Sequence, residues 1–529
     1  MPVALMIMLL LTALGLGALS NSSLDLLTMR SHKMGKEAFY AAEGGIVFAK
    51  KELNGILATT SVPTSAQLTA INAPSVPGFN FDFFSIVATG SPTTVTLTSG
   101  PYASLNSIST PYTITVQASG INTDSGTVRL TQILQDQQIP LFQFGVYYND
   151  DLEIFPGATM TFNGRVHSNA DIYLGGKAIF DSAISSAGAI FRCRKDIPSN
   201  CASAQIRAPS DDLLDLTYDH TDSDWVNRAY NDWKGLVRDV AHGVQELSLP
   251  VETGDLLDLI KRGDTIDPVS SSESQALRKV RLYWQADLRI LDGIAYNRNG
   301  TQLTLPPGAV STASFFDYRE NKPVNVRQID CNILGDIELD NGILYVSDTQ
   351  DNPGILKALR LVNCATLGPA DGLTVASDTP IYVKGNYNTN NKKGAALVGD
   401  TITFLSNNWD DDNAINASSP FSNRVATPTT VNAALVTGDT ITSVGDYNGG
   451  LENLPRFLEN WSGVNFVLRG SIINLWESQQ AIGAWNYGSP IYQAPNRVWS
   501  YDADFDDPAN LPPGTPRVRT LAQAQWARQ

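Results

Sequence analysis

Residues 37–53 read EAFYAAEGGIVFAKKEL, an Ala-rich amphipathic helix with a Gly pair inside it. It follows an apolar run, VALMIMLLLTALGLGAL at residues 3–19, which has no charge and Thr12 as its one polar residue. About 17 to 20 such residues in a helix span about 26–30 Å, the thickness of a bilayer core. A secretory signal peptide is the competing reading, but the run has neither a basic leading segment nor a clean small-residue cleavage site. Helical spacing also resumes beyond it. Leu27, Met34, Ala38, Ala41, Gly45, Ala49 and Leu53 recur three, four or seven apart on one stripe. One helix over residues 3 to about 54, on the order of 75 Å long, accounts for both segments. Ala and Gly on the stripe allow close helix approach, which suits packing against copies of the same helix.

The uncharged span, a polar break, Arg30 and then AFYAAEGGI with basic residues and Leu after it resemble the amino-terminal region of PilX-like minor type IV pilins. The GspK-type pseudopilins of type II secretion show a similar pattern. The resemblance covers about the first 55 residues, and phrases such as DGIAYNRNG and the closing LPPGTPRVR are similar to carboxy-terminal regions of large PilX-like proteins. Two departures stand out. Prepilins of the family carry a short basic leader ending in Gly, absent before this run, so the expectation is a processed form or a late start. Major pilins carry Glu at the fifth mature position, where this chain has Leu5, and that departure is similar to the minor subunits at filament tips. The resemblance implies other pilins as partners through the helix, the inner membrane as the site before assembly, and the cell-surface pilus afterwards. It also implies a role in assembly priming, in adhesion to a surface or glycan receptor, or in both. A pseudopilin of a secretion system is an alternative.

At 529 residues the chain is long enough for two or three domains. Charged residues are only 17%, with 41 Gly and many Ser, Thr and Asn, a composition of β-rich extracellular proteins. The net charge of −16 argues against nucleic acid as a partner. Residues 55–137 contain TTVTLTSG, PYTITVQASG and GTVRLTQILQ, which alternate as half-buried strands. Beyond about 138, short strands and turns follow closely. GDIEL from Gly335, GDTIT from Gly399 and again from Gly438, and GSIIN from Gly470 repeat one phrase, and AALVGDTIT differs from AALVTGDTIT by one inserted Thr. A strand phrase at irregular spacing reads as rungs of a β-solenoid with inserted loops, with a β-sandwich as the alternative. The fold expected is α+β: a helix over 1–54, a small antiparallel β-rich head over 55–137, and a large mainly-β domain over 138–529 with a helical insertion at about 209–291.

Cys193, Cys201, Cys331 and Cys364 lack CxxC spacing, so two local disulfides in an oxidising compartment fit better than a metal site, with buried free thiols as the alternative. Asp502, Asp504, Asp506 and Asp507, and likewise Asp410, Asp411 and Asp412, place alternate carboxylates on short loops, the hard oxygen ligands that Ca²⁺ takes. A solvated Asx-rich turn is the plainer reading. Trp409, Trp461, Trp476, Trp485 and Trp499 fit either core filling or a sugar-binding face. With four His and no GxSxG, HExxH, P-loop or GxGxxG context, an enzyme is not expected. The alternative is a membrane-anchored polysaccharide hydrolase or lyase, for which Asp150, Asp151 and Glu153 supply candidate carboxylates.

Overall fold

The computed structural model describes the chain except residues 61, 122–125, 336–338 and 529, so most of the GDIEL phrase lies outside the described residues. The chain divides into two compact units. The first holds Met1–Thr94, Ile108–Gln137 and Leu521–Gln529, and the second Val95–Ser107 and Gln138–Thr520.

In the first unit one α-helix runs over Pro2–Thr59. It passes the expected end at 54 because Leu57 extends its buried stripe, and it stops where Thr60 turns to extended backbone. It is long and apolar enough to cross a membrane. Up to Met29 its large apolar side chains are each more than half exposed. From Ala38 onward one face is covered. Ala38, Ala42, Ile46, Ala49, Leu53 and Leu57 pack with Ile86, Tyr112, Ile114, Val116, Ala118, Val128, Leu130 and Leu134. The helical residues recur at three and four and the strand residues at two, so one helix stripe meets one sheet face.

That sheet has the order Phe79–Ala88, Asn106–Gly120, Thr127–Pro140, Arg517–Arg528, and Thr93–Thr96 also pairs with Asn106–Gly120. The pair Phe79–Ala88 and Asn106–Gly120 is antiparallel, with a register shift between Phe81 and Phe83. The carboxy-terminal strand brings Trp526 edge-on to Phe39.

The second unit is mainly β. Its largest sheet has twelve strands, among them, in spatial order, Val166–Ser168, Val146–Tyr148, Ile472–Glu477, Ala434–Asp439, Ala395–Val398, Leu373–Ala376, Ile343–Ser347 and Leu288–Leu291. Neighbours in this series are parallel. A six-stranded sheet carries Leu356–Val362, Ile381–Lys384, Ile402–Leu405 and Arg456–Phe457, again parallel. Between successive parallel-paired strands such as these the chain passes through a strand of another sheet: Ala395–Val398 leads to Ile402–Leu405 before the return at Ala434–Asp439. The two similar phrases of the sequence pair here with identical residues opposed, Ala396 with Ala434, Leu397 with Leu435 and Val398 with Val436.

The segment 209–291 is less helical than its sequence suggests. Its helices are Trp225–Asn231, Gln275–Val280 and Leu282–Gln285, and it also supplies the strands Leu213–Asp215, Val237–Arg238 and Leu288–Leu291. Trp225 and Trp233 are anchored in the β core, so burial of these rings fixes the segment where helical periodicity alone would not.

Candidate functional site

Parallel pairing aligns the carboxy-terminal ends of three strands of the large sheet. Asp439 stands beside Glu477, and Asn474 beside Tyr148. Beyond these ends lies a cavity of about 200 Å³ whose lining includes Asp150, Asp151, Glu153, Lys195, Asp439 and Glu477. Trp476, Tyr148, Asn448 and Asn474 complete much of the wall. Lys195 pairs with Asp151 at 2.8 Å. Among the described residues no other cation lines the cavity, so four carboxylates face it without one.

Several of these groups are buried without partners. Asp439 Oδ2, Glu153 Oε2, Tyr148 Oη and Trp476 Nε1 have no hydrogen-bond partner among the described residues. Asp439 is 6% exposed and Glu153 3%. Burial pushes the Asp439 carboxyl up to about 6 against the opposing pull of Arg319 and Arg456. Burial also raises Glu153, with Thr442 and Lys195 opposing, and Asp150, where the Glu477 charge adds to it. Unpaired polar atoms at this depth cost stability, and such clusters concentrate at functional sites.

A second cavity, of about 480 Å³, is lined by close chain neighbours of residues that line the first. Glu153 and Asn448 line the acidic cavity, whereas Phe155, Tyr447 and Gly449, from the same two chain segments, line the second. Its aromatic wall comprises Tyr447, Trp485, Tyr487, Tyr492 and Phe155, with Arg194 and Arg497 as its cations. Tyr447 and Trp485 meet edge to face at 5.4 Å, and Trp485 Nε1 donates to Tyr492 Oη at 3.0 Å. Arg194 lies 4.3 Å over the Tyr447 ring and is held by Asp196 through two bonds of 2.8 and 2.7 Å.

The helix stripe occupies a different place from the one its sequence suggests. Ala38, Ala41, Gly45, Ala49 and Leu53 are buried, and the covering surface is the chain's own sheet, so these residues are not free for contact between filament subunits. Leu27 is exposed and Met34 partly so. The acidic loops are likewise closed internally. Lys392 Nζ lies 2.6 Å from Asp502 Oδ1 and 2.7 Å from Asp504 Oδ2, Tyr501 Oη donates to Asp506 at 2.8 Å, and Asp507 caps Ala509. Arg360 grips Asp411 with two bonds of 2.6 and 2.9 Å, while Asp410 accepts from the Asp412 backbone. Among the described residues no three His, Cys, Asp or Glu side chains gather as a metal-holding group.

Cys193–Cys201 and Cys331–Cys364 are disulfides. Trp409, Trp461 and Trp476 are buried, Trp499 is half-buried against the core, and Trp485 lines the aromatic cavity. Asp150, Asp151 and Glu153 come together as one wall of the acidic cavity, but their companions Asp439 and Glu477 lie about three hundred residues away in the chain, and no local spacing joins them.

No family model matches the chain, and no curated protein matches it. A solved structure, the competence-associated pilin ComZ from Thermus thermophilus, is similar over 94% of this chain and 98% of its own, at 13% identity and a TM-score of 0.32. That value lies below the range in which two chains share an overall fold.

Proposed function

We propose that this chain is a minor pilin of a type IV filament, of PilX-like type, acting near the tip in assembly priming, adhesion or both. The observation that carries the reading is the Pro2–Thr59 helix, whose first half is apolar and uncovered while its second half is sealed by the chain's own sheet. Such a helix is anchored in a membrane at one end and carries a folded unit at the other. Contact with other pilins then falls to the uncovered half, Leu27 included. The parallel ladders of the second unit we read as rungs of a β-solenoid, a bulk poorly suited to repetition at every subunit of a shaft. The division into an anchor over 1–54, a head over 55–137 and a display domain over 138–529 belongs to the same proposal, as does a location in the inner membrane and then on the cell surface. Calcium at the 502–507 and 410–412 loops belongs to it too, as an ion that would displace Lys392 at the first loop and Arg360 at the second.

Immunogold labelling of sheared surface filaments with an antibody to the region after residue 140 tests it. Label at one filament end supports a tip subunit, label along the shaft makes it a structural subunit, and absence from filaments overturns the reading in favour of a secretion pseudopilin or an anchored enzyme. The acidic cavity favours that last reading, a polysaccharide hydrolase or lyase. Release of reducing ends from glycans by the purified chain distinguishes cleavage from the binding role proposed here.

A further inference from the structure

We propose that the two cavities form a pair of subsites for an oligosaccharide bearing free amino groups. Its ammonium group sits among Asp439, Glu153, Asp150 and Glu477, and the neighbouring ring lies on Tyr447, Trp485 and Tyr487. This rests on the surface-binding half of the function proposed above and is independent of filament assembly.

The unpaired atoms define the chemistry. Asp439 Oδ2 and Glu153 Oε2 are buried acceptors with no donor among the described residues, and an ammonium group offers three. Tyr148 Oη and Trp476 Nε1, equally unpaired in the same wall, are donors that match hydroxyl or ring oxygens, so the ligand carries both kinds of group. A bare metal ion fits less well. Among the described residues the carboxylates do not converge as a metal-holding group, and a cavity of about 200 Å³ is several times the share of one water, about 30 Å³.

The second cavity sets the direction of binding. Its rings offer faces on which sugar C–H surfaces pack, and Tyr487 is 57% exposed at the mouth. Arg194, held by Asp196, and Arg497 line it together with the buried carboxylate Glu452, so its charges are balanced and the excess of carboxylates that draws a positive group lies in the first cavity. A ligand with a cationic amino sugar at one end and a ring at the next position satisfies both walls. The raised Asp439 carboxyl agrees with this, because a bound ammonium would recover the ionised form that burial disfavours.

Isothermal titration of the full chain in detergent micelles at pH 7 tests the assignment with three tetrasaccharides: a glucosamine tetramer, its N-acetylated counterpart and a glucose tetramer of the same linkage. No filament is needed, so failure here leaves the assembly reading standing. The glucosamine tetramer is expected to bind about ten-fold or more tighter than the other two. Glu477→Gln, on the exposed rim, and Asp439→Asn are each expected to weaken that binding about five-fold or more with the circular dichroism spectrum unchanged. Equal binding of all three sugars, a preference for the acetylated or neutral one, no binding at about 1 mM, or unaltered binding by both variants would each overturn it.

Discussion

Gly45 lies so close to Val116 that a Cβ on it would sit 2.8 Å from Val116 Cγ1, and equally close to the Phe81 ring. Its neighbour Gly44 has nothing within 4 Å of that position. The Gly pair noticed in the sequence thus contains two residues with opposite constraints, one at a helix–sheet contact and one facing away. In a helix interior Ala is favoured over Gly by about 1 kcal/mol, and overpacking costs about 1–3 kcal/mol. Gly44→Ala is therefore expected to stabilise the chain by about 0.5–1 kcal/mol. Gly45→Val is expected to destabilise it by about 2 kcal/mol or more. Thermal unfolding of the two variants in the same detergent checks the contrast, and equal shifts would contradict the packing described.

Asp439 links the acidic cavity to pH-dependent stability. Its folded carboxyl titrates at about 6 and its ordinary value is 3.8. The folded state therefore binds more protons than the unfolded state between those values, and stability falls as pH rises through this window. By pH 7 the penalty is complete and on the order of 3 kcal/mol. Asp439→Asn is expected to raise the melting temperature at pH 7 and to flatten its decline between about pH 4 and 6. A lower melting temperature at pH 7 would mean that Arg319 and Arg456 hold the ionised form after all.

The two disulfides close loops of different size, with sequence separations of 8 and 33. Loop-closure entropy gives about 2.5 kcal/mol for the first and about 4 kcal/mol for the second. Replacing both cysteines of Cys331–Cys364 by Ala is expected to reduce stability more than the same change at Cys193–Cys201. Denaturant midpoints of the two double variants test this order.

Arg360 is buried and its guanidinium is divided between Asp411 and Gln328. Burial works against ionisation of Asp411, but the Arg360 hydrogen bonds and charge prevail and hold the carboxyl below its ordinary value. Asp411→Ala leaves a buried cation with one partner fewer and is expected to cost about 2–4 kcal/mol. Asp412→Ala, at an exposed position on the same loop, is expected to change stability by less than about 0.5 kcal/mol. Unfolding curves of the pair decide whether this loop is structural.

What the sequence could and could not reveal follows from the range of each interaction. The helix was legible because its apolar spacing is local, and the strands of 111–120 and 126–135 because alternate residues face one side. Cysteine spacing likewise pointed to the disulfides that formed. The partner of the small-residue stripe was not legible. Ala and Gly permit close approach by any surface, and whether a helix or a sheet covers them depends on where residues 79–134 return. The acidic cavity was half visible. Asp150, Asp151 and Glu153 are adjacent in sequence, but Asp439, Trp476 and Glu477 reach them only through the pairing of Ile472–Glu477 with both Val146–Tyr148 and Ala434–Asp439.

The opposed AALV phrases at 395–398 and 433–436 bear on how such a chain lengthens. Identical side chains opposed on neighbouring parallel strands form a surface that accepts another copy of itself, so a tandem duplication inserts a ready-made strand layer without redesigning its neighbours. The excursions between these strands can then diverge freely, because the ladder constrains only where each one leaves and returns. The 447–449 segment, which walls both cavities, lies on one such excursion, between Ala434–Asp439 and Ile472–Glu477. The lining of both cavities can accordingly change by exchange of a loop, while the ladder beneath it is inherited intact.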